Sequence, residues 1–392
     1  MKNILKDIIF ILLYILSIFI RQRNIIIIGG PDKNRYGGNV KYLYEFLSKN
    51  TEYQVFWLTE SDDIITYLKN KNLKYLSNKN YFKKLITTIS CKYVIDSGTN
   101  FYNPFNYISR MKNIVKITTM HGSGPKLTLG NNKDYKRRIL SLFDSVCFCT
   151  EYTQQKIGVE EFMLDKNVAK IFGQPKHDIL RDDKYVESIY SKRDWCNKIL
   201  NKESSNQYRI IYYCPTWREK KSSLPLEHIS NFSLDKFNNF LKTHDIYFLY
   251  TEHMLSNFSK LNKSYSNIKK VNQMDYPLFD NLELLIESDM MVADYSTLSS
   301  DYSILNRPQL FVVTDLEEIS LKKGFIENPI NMMPGPIIEE YAELCKYILK
   351  YIKDPKLYVK DYQDQLSELK TKYVGPKTLN SRKILMDYIL SR

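Results

Sequence analysis

Only five histidines and six cysteines occur in 392 residues, and neither type clusters. The one close cysteine pair is the CFC of residues 147–149, two alternating positions of a strand-like run. That spacing makes neither a zinc site nor a disulfide framework, so reduced, buried thiols of a cytoplasmic protein are expected. No Asp-x-Asp stands at a strand end, and Asp182–Asp183 lies in a charged helical run that solvent satisfies. Neither a metal nor a cofactor is therefore expected. Paired RNP aromatics, zinc-finger spacing and a basic heptad helix are also missing, and the 31 tyrosines do not alternate with basic residues in any patch. Nucleic acid is thereby disfavoured as a partner. There is no internal repeat and no long low-complexity segment. The longest uncharged apolar run, IIFILLYILSIFI at 8–20, is short of the roughly 20 residues that a spanning helix needs. No small-residue cleavage site follows it, so a removed signal peptide is not expected.

What is present points to a two-lobed globular chain. This length exceeds one ordinary core, so two domains are expected, and 43% hydrophobic with 26% charged residues is a globular composition. The formal net charge is +13, with Lys and Arg spread along the chain. Such a balance favours a phosphate-rich substrate or an anionic membrane surface. The 8–20 run is flanked by Lys2, Lys6, Arg21 and Arg23 and would be apolar on every face of a helix. We expect a helix lying in the inner membrane interface, pinned to anionic head groups, with a buried core helix as the alternative.

Strand-like runs then alternate with helical ones. NIIIIGG (24–30) is followed by a glycine-containing loop and a helix through Val40 to Ser48; YQVFWLT (53–59), KYVIDSG (92–98), IVKITTM (114–120) and SVCFCT (145–150) come next. The polar stretch 199–209 resets the pattern. A second series follows: RIIYYCPTW (209–217), DIYFLYTEH (245–253), MMVAD (290–294) and QLFVVT (309–314), closed by a helical run at 377–390. Such βαβ alternation predicts an α/β fold of two Rossmann-like lobes, each with a doubly wound parallel sheet, facing a central cleft. The expected division is a membrane-docking helix at 1–23, lobes at 24–200 and 201–374, and a closing C-terminal helix at 375–392.

Ligands of open α/β folds bind beyond the carboxyl ends of the strands, and each informative polar cluster falls there. His121 follows IVKITTM, in a loop with Gly122, Ser123, Gly124 and Lys126. Pro215, Thr216 and Arg218 follow RIIYYC, His253 follows DIYFLYTE, and Asp294, Ser296 and Thr297 follow MMVA. Backbone N–H groups, an imidazole and a cation on one rim suit an anionic ligand. Hydroxyls at a helix start also serve as plain caps. Asp294 reads as a hydrogen-bonding partner, because a carboxylate would repel a bound diphosphate. His177, in GQPKH at the expected hinge, is expected to line the cleft. His228 and His244 read as surface residues.

These motifs, in this order, are HGSGPK, YCPTWR, the TEH of 251–253, VADYSTLSSDYSILNRPQLF, DLEE, KKGF and PGPI. The set, from about Asn39 to Pro336, resembles the CDP-glycerol glycerophosphotransferase family of teichoic acid primases and polymerases, with capsule-polymer relatives. Departures are mild: a glycine precedes the proline of HGSGPK, Ala293 stands where Thr is usual, and Lys323 and Lys176 replace Arg. They bear on the acceptor or the polyol more than on the reaction class.

The resemblance implies a GT-B architecture and transfer of glycerol phosphate from CDP-glycerol to a hydroxyl of a lipid-linked saccharide or polyol-phosphate acceptor, releasing CMP. Location would be peripheral, on the cytoplasmic face of the bacterial membrane. His121 fits the base, since imidazole titrates nearest working pH. His253 and Arg218 fit the charge on the phosphates. Pro215, Thr216, Asp294, Ser296 and Thr297 would complete the donor side, and Gly122, Ser123, Lys126 and His177 the acceptor side or cleft wall. The chain length favours the shorter, primase-like members. Alternatives are a CDP-ribitol-using or polymerising member, a GT-B nucleotide-sugar glycosyltransferase, and a non-catalytic membrane-docked binding protein.

Overall fold

Four consecutive isoleucines, Ile25 to Ile28, are at most 3% exposed, as a parallel strand covered on both faces requires. They lie in β1 (Arg23–Gly29), which begins a seven-stranded sheet. This computed structural model describes all residues except 1–10, 13, 16, 17, 31–33, 99–110, 112, 121, 128, 130–132, 204–207, 217–223, 252–263, 273, 274, 277 and 323. The other strands are β2 (Gln54–Leu58), β3 (Tyr75–Leu76), β4 (Cys91–Asp96), β5 (Val115–Thr118), β6 (Ser145–Phe148) and β7 (Ala169–Ile171), in the order β3-β2-β1-β4-β5-β6-β7. A second sheet holds β8 (Arg209–Tyr213), β9 (Ile246–Thr251), β10 (Ile268–Val271), β11 (Met290–Ala293) and β12 (Gln309–Phe311), in the order β10-β9-β8-β11-β12. Every neighbouring pair is parallel. The order reverses beside β1 in one sheet and beside β8 in the other, which opens a crevice at each set of carboxyl ends. Three strands lacked a hydrophobic signature in the sequence: β3, β7 and β10. All are sheet edges, short and in two cases lysine-bearing, as edge strands tend to be.

Alternation sorts the second sheet into two cores. Ile211, Tyr213, Phe248 and Val292 face one layer; Ile210, Tyr212, Leu249 and Met291 face the other. Helices Asp183–Lys192 and Asp194–Leu200 pack on the second sheet, with Cys196 in the same core as Ile210 and Tyr212. Arg193, buried between them, donates to both oxygens of Asp289 at 2.9 Å.

Four helices position the site. They are α1 (Gly38–Asn50), α2 (Pro175–Leu180), α3 (Leu298–Ser303) and α4 (Ser381–Leu390). Helix α4 packs on the first lobe: Leu385 and Ile389 join its core, and Tyr93 donates to the Ile389 carbonyl at 2.7 Å. The chain therefore crosses between lobes twice, and the crossings lie together. Asp178 accepts from the N–H groups of Ser381 (2.9 Å) and Arg382 (2.8 Å). Gly173, at φ +74°, lies so near Ser381 that a Cβ would come within 2.1 Å of its Oγ.

At the N-terminus, residues 11, 12, 14, 15, 18 and 19 are helical. Ile11, Leu12, Ile15, Ile18 and Phe19 are exposed, Phe19 to 82%, so these residues are not the buried core helix that was the alternative. Among the described residues no helix is long and apolar enough to cross a membrane.

Candidate active site

The carboxyl end of β8 runs into Cys214, Pro215 and Thr216, and that of its neighbour β11 into Asp294. Asp294, 1% exposed, bridges this switch point. It accepts from the Thr216 N–H at 2.8 and 3.0 Å and from the Thr216 hydroxyl at 2.7 Å. The carboxylate thus fixes Thr216 just past the end of β8, the partner role its charge implied. Thr216, expected to hold phosphate oxygens, has its hydroxyl directed at Asp294 instead. Behind them, the Tyr212 and Thr251 hydroxyls lie 2.7 Å apart and anchor the end of β9, two residues before His253.

On the same rim, Ser296 accepts from the Leu298 N–H at 3.4 Å, and Thr297 is the residue before α3. The first lobe touches it here. A Cβ on Gly122 would lie 2.5 Å from the Thr297 Oγ1, and one on Gly124 would lie 3.1 Å from its Cγ2. Only glycine permits so close an approach of one loop to the other. The loop then pairs with the KKGF segment: Leu127 N–H donates to the Gly324 carbonyl at 3.1 Å, and Ile326 N–H to the Pro125 carbonyl at 2.7 Å. Lys126 and Phe325 form an antiparallel bridge, and Ser123 is buried. The carboxyl ends of both sheets therefore face each other across a shared junction.

His121, Arg218 and His253 lie outside the described residues. Met120 and Gly122, on either side of His121, are placed, as are Thr216 and Thr251, two residues before Arg218 and His253 respectively and at or just beyond the carboxyl end of a strand.

His177, expected on the cleft wall, is wholly buried. Its Nε2 lies 2.8 Å from Asp301 Oδ1 of α3, and Lys176 Nζ donates to Asp301 Oδ2 at 2.5 Å. Burial alone would raise the Asp301 carboxyl, but Lys176 and His177 outweigh it and hold it below the usual carboxylate range. Burial pulls the His177 imidazole down, against Asp301. A neutral ring donating through Nε2 leaves Nδ1, which has no partner, as a bare lone pair rather than an orphan N–H. The triad joins the lobes at the hinge. Asp301 stood within the DYSTLSSDY motif, but its partners are 124 and 125 residues away, so spacing alone could not reveal them.

Two further contacts were not anticipated. Asp280 of the second lobe accepts from the Gly38 N–H at 3.2 Å, and Lys41 pairs with Glu283 at 2.7 Å. A carboxylate thus occupies the start of α1, where dinucleotide-binding Rossmann folds place a phosphate. Asp96, at the end of β4, is buried, and burial pushes its carboxyl up to about 7 against donors from Thr118 and Gly98. Among the described residues no group of three or more His, Cys, Asp or Glu is placed to hold a metal ion.

Residues 12–390 match the model of the family described as CDP-Glycerol:Poly(glycerophosphate) glycerophosphotransferase. The chain belongs to this family. It is 25% identical over 377 residues to a teichoic acid poly(glycerol phosphate) polymerase of Bacillus spizizenii, covering 89% of each protein. To the polymerase of Staphylococcus epidermidis it is 25% identical over 344 residues, but spans only 45% of that protein's length. A structure of the wall teichoic acid polymerase TagF, a histidine-to-asparagine variant soaked with CDPG, matches with a TM-score of 0.71 at 23% identity, over 94% of this chain and 89% of the other. That likeness corroborates the GT-B fold of this family member. The recognition by motif order and the two-lobed architecture thus stand together.

Proposed function

We propose that the chain transfers glycerol phosphate from CDP-glycerol to a hydroxyl of a membrane lipid-linked acceptor, releasing CMP, in teichoic acid or capsule-type polymer synthesis. One observation carries this reading: the glycines flanking Ser123 in the first lobe's loop rest on Thr297 at the donor lobe's switch point. Gly122 and Gly124, in the loop that follows His121 in sequence, thus meet the second lobe. In the reaction, the acceptor oxygen bonds to the phosphorus that bears glycerol. The bond from that phosphorus to the bridging oxygen breaks, and CMP leaves with the electron pair. His121 takes the acceptor proton, and Arg218 and His253 offset charge on the phosphates, where phosphoryl transfer gains most of its catalysis.

Docking at the cytoplasmic face of the membrane would bring a lipid-bound acceptor to this junction. The exposed side chains of Ile11, Leu12, Ile15, Ile18 and Phe19 and the charge of +13 support it. Mass spectrometry of a lipid-linked acceptor incubated with CDP-glycerol, CDP-ribitol or a UDP-sugar tests the reading. A mass gain of one or more glycerol phosphates supports it. A gain only from CDP-ribitol replaces the polyol, a gain only from a UDP-sugar replaces the reaction class, and no gain with intact lipid binding leaves a docking protein.

A further inference from the structure

The residue before His121 has a backbone conformation that its side chain disfavours. Met120 sits at φ +53°, in the left-handed region that non-glycine residues seldom adopt. It is 5% exposed and packs with Leu129, Leu140, Phe143 and Val146. Surrounding structure must hold such a residue in place. Its carbonyl accepts from Asn39 Nδ2 at 2.8 Å and from the Thr119 hydroxyl at 3.2 Å. Asn39, in the first turn of α1, is 1% exposed, and its Oδ1 accepts from the Lys176 N–H at 3.2 Å. Lys176 in turn pairs with Asp301 of α3, and the residue preceding α3, Thr297, abuts Gly122. These contacts close a ring: Met120, Asn39, Lys176, Asp301, Thr297, Gly122. His121 is the one residue between its two ends.

We propose that Asn39 is a positioning residue for the proposed base: its amide holds the Met120 peptide left-handed and so fixes the backbone that leads into the next residue in sequence, His121. The inference rests on the reading of His121 as that base. Both halves of the amide are used, one toward the loop and one toward the hinge. Lobe seating through Asp301 and Lys176 is thereby tied to the loop.

Asn39→Leu keeps the volume and removes both hydrogen bonds; Asn39→Ser shortens the side chain and serves if the leucine variant does not fold. Turnover is read with CDP-glycerol and a soluble acceptor analogue, alongside the melting temperature. The expected result is kcat lower by about 30-fold or more with KM for CDP-glycerol within about threefold, the pattern of an interaction made in the transition state. Met120→Gly in the same background should regain at least fivefold in kcat, because glycine adopts positive φ freely, even though it empties packed volume and lowers the melting temperature further. A merely structural Asn39 would not be rescued by a second destabilising change. His121→Ala is the companion variant. If it is inactive while the Asn39 variants keep kcat within threefold, or Met120→Gly restores nothing, the positioning role is overturned and the base reading survives. If His121→Ala turns over normally, both fall.

Discussion

At the residue scale, the proposed chemistry divides between one base, His121, and two phosphate-binding groups, Arg218 and His253. His121→Ala should lower turnover by roughly 100-fold or more while leaving CDP-glycerol binding nearly intact, since a base acts on the acceptor proton and not on donor affinity. Steady-state rates and calorimetry check the two halves separately. Arg218→Ala and His253→Ala should instead weaken donor binding, by about 1.5–3 kcal/mol each for a lost charge-assisted contact. Equal donor affinity by calorimetry in both variants would move the diphosphate elsewhere. Asp294 shows how far elementary electrostatics reaches from sequence. Its charge excluded a phosphate contact and implied a partner, and Thr216 proves to be that partner.

At the element scale, two pieces of the chain have separable tasks, of which the first, membrane docking, is a proposal. The helical residues 11, 12, 14, 15, 18 and 19 precede β1, and Ile11, Leu12, Ile15, Ile18 and Phe19 are exposed. Removing residues 1–22 should shift the protein from membranes to the soluble fraction, yet preserve activity on a soluble acceptor analogue. Vesicle sedimentation with anionic lipid should show the full chain binding less as salt rises, because each surface cation near such lipid contributes about 1 kcal/mol and is screened. A truncated protein that still pellets would assign docking to a basic patch. Helix α3 has the opposite task, joining lobes rather than docking them. Asp301→Asn leaves Lys176 charged and buried without its counter-ion, which should cost about 3–5 kcal/mol of stability. Adding Lys176→Met should recover part of that loss in denaturant unfolding.

At the scale of the whole molecule, stability depends on pH through buried acids in both lobes. Burial pushes the carboxyl of Asp96 up from 3.8 to about 7, and that of Glu287, which accepts from the Trp195 and Cys196 N–H groups, up from 4.5 to about 7. A raised folded-state value means that the folded chain binds more protons than the unfolded one between about pH 4 and 7. Their contribution is complete below the unfolded values and is lost as pH rises through about 7. His177 works the other way, since its lowered value costs stability as pH falls below its ordinary 6.5. Comparing Asp96→Asn with the parent isolates one term. The variant should gain stability over the parent at pH 8, and the gain should shrink at pH 5, by denaturant unfolding at both values. A gain independent of pH would show that Asp96 does not titrate in this window.

Strand positions, lobe count and the ordered motifs are properties of short segments, and the sequence alone determined them. Continuous apolar runs such as Ile25–Ile28 report burial on two faces, and polar residues just past such runs report a ligand rim. Edge strands β3, β7 and β10 escaped because half of each faces solvent or neighbouring loops and leaves little apolar signature. Only the tertiary structure decided the pairings that close the molecule: Asp294 with Thr216, Asp280 with Gly38, Asp301 with Lys176 and His177, and Asn39 with Met120. It also buried His177, expected from the sequence on the cleft wall. The physical reason is the same in each case. A buried polar group must find a partner, and that partner is chosen by distance in space across some 80 to 240 residues of chain, where local spacing carries no information.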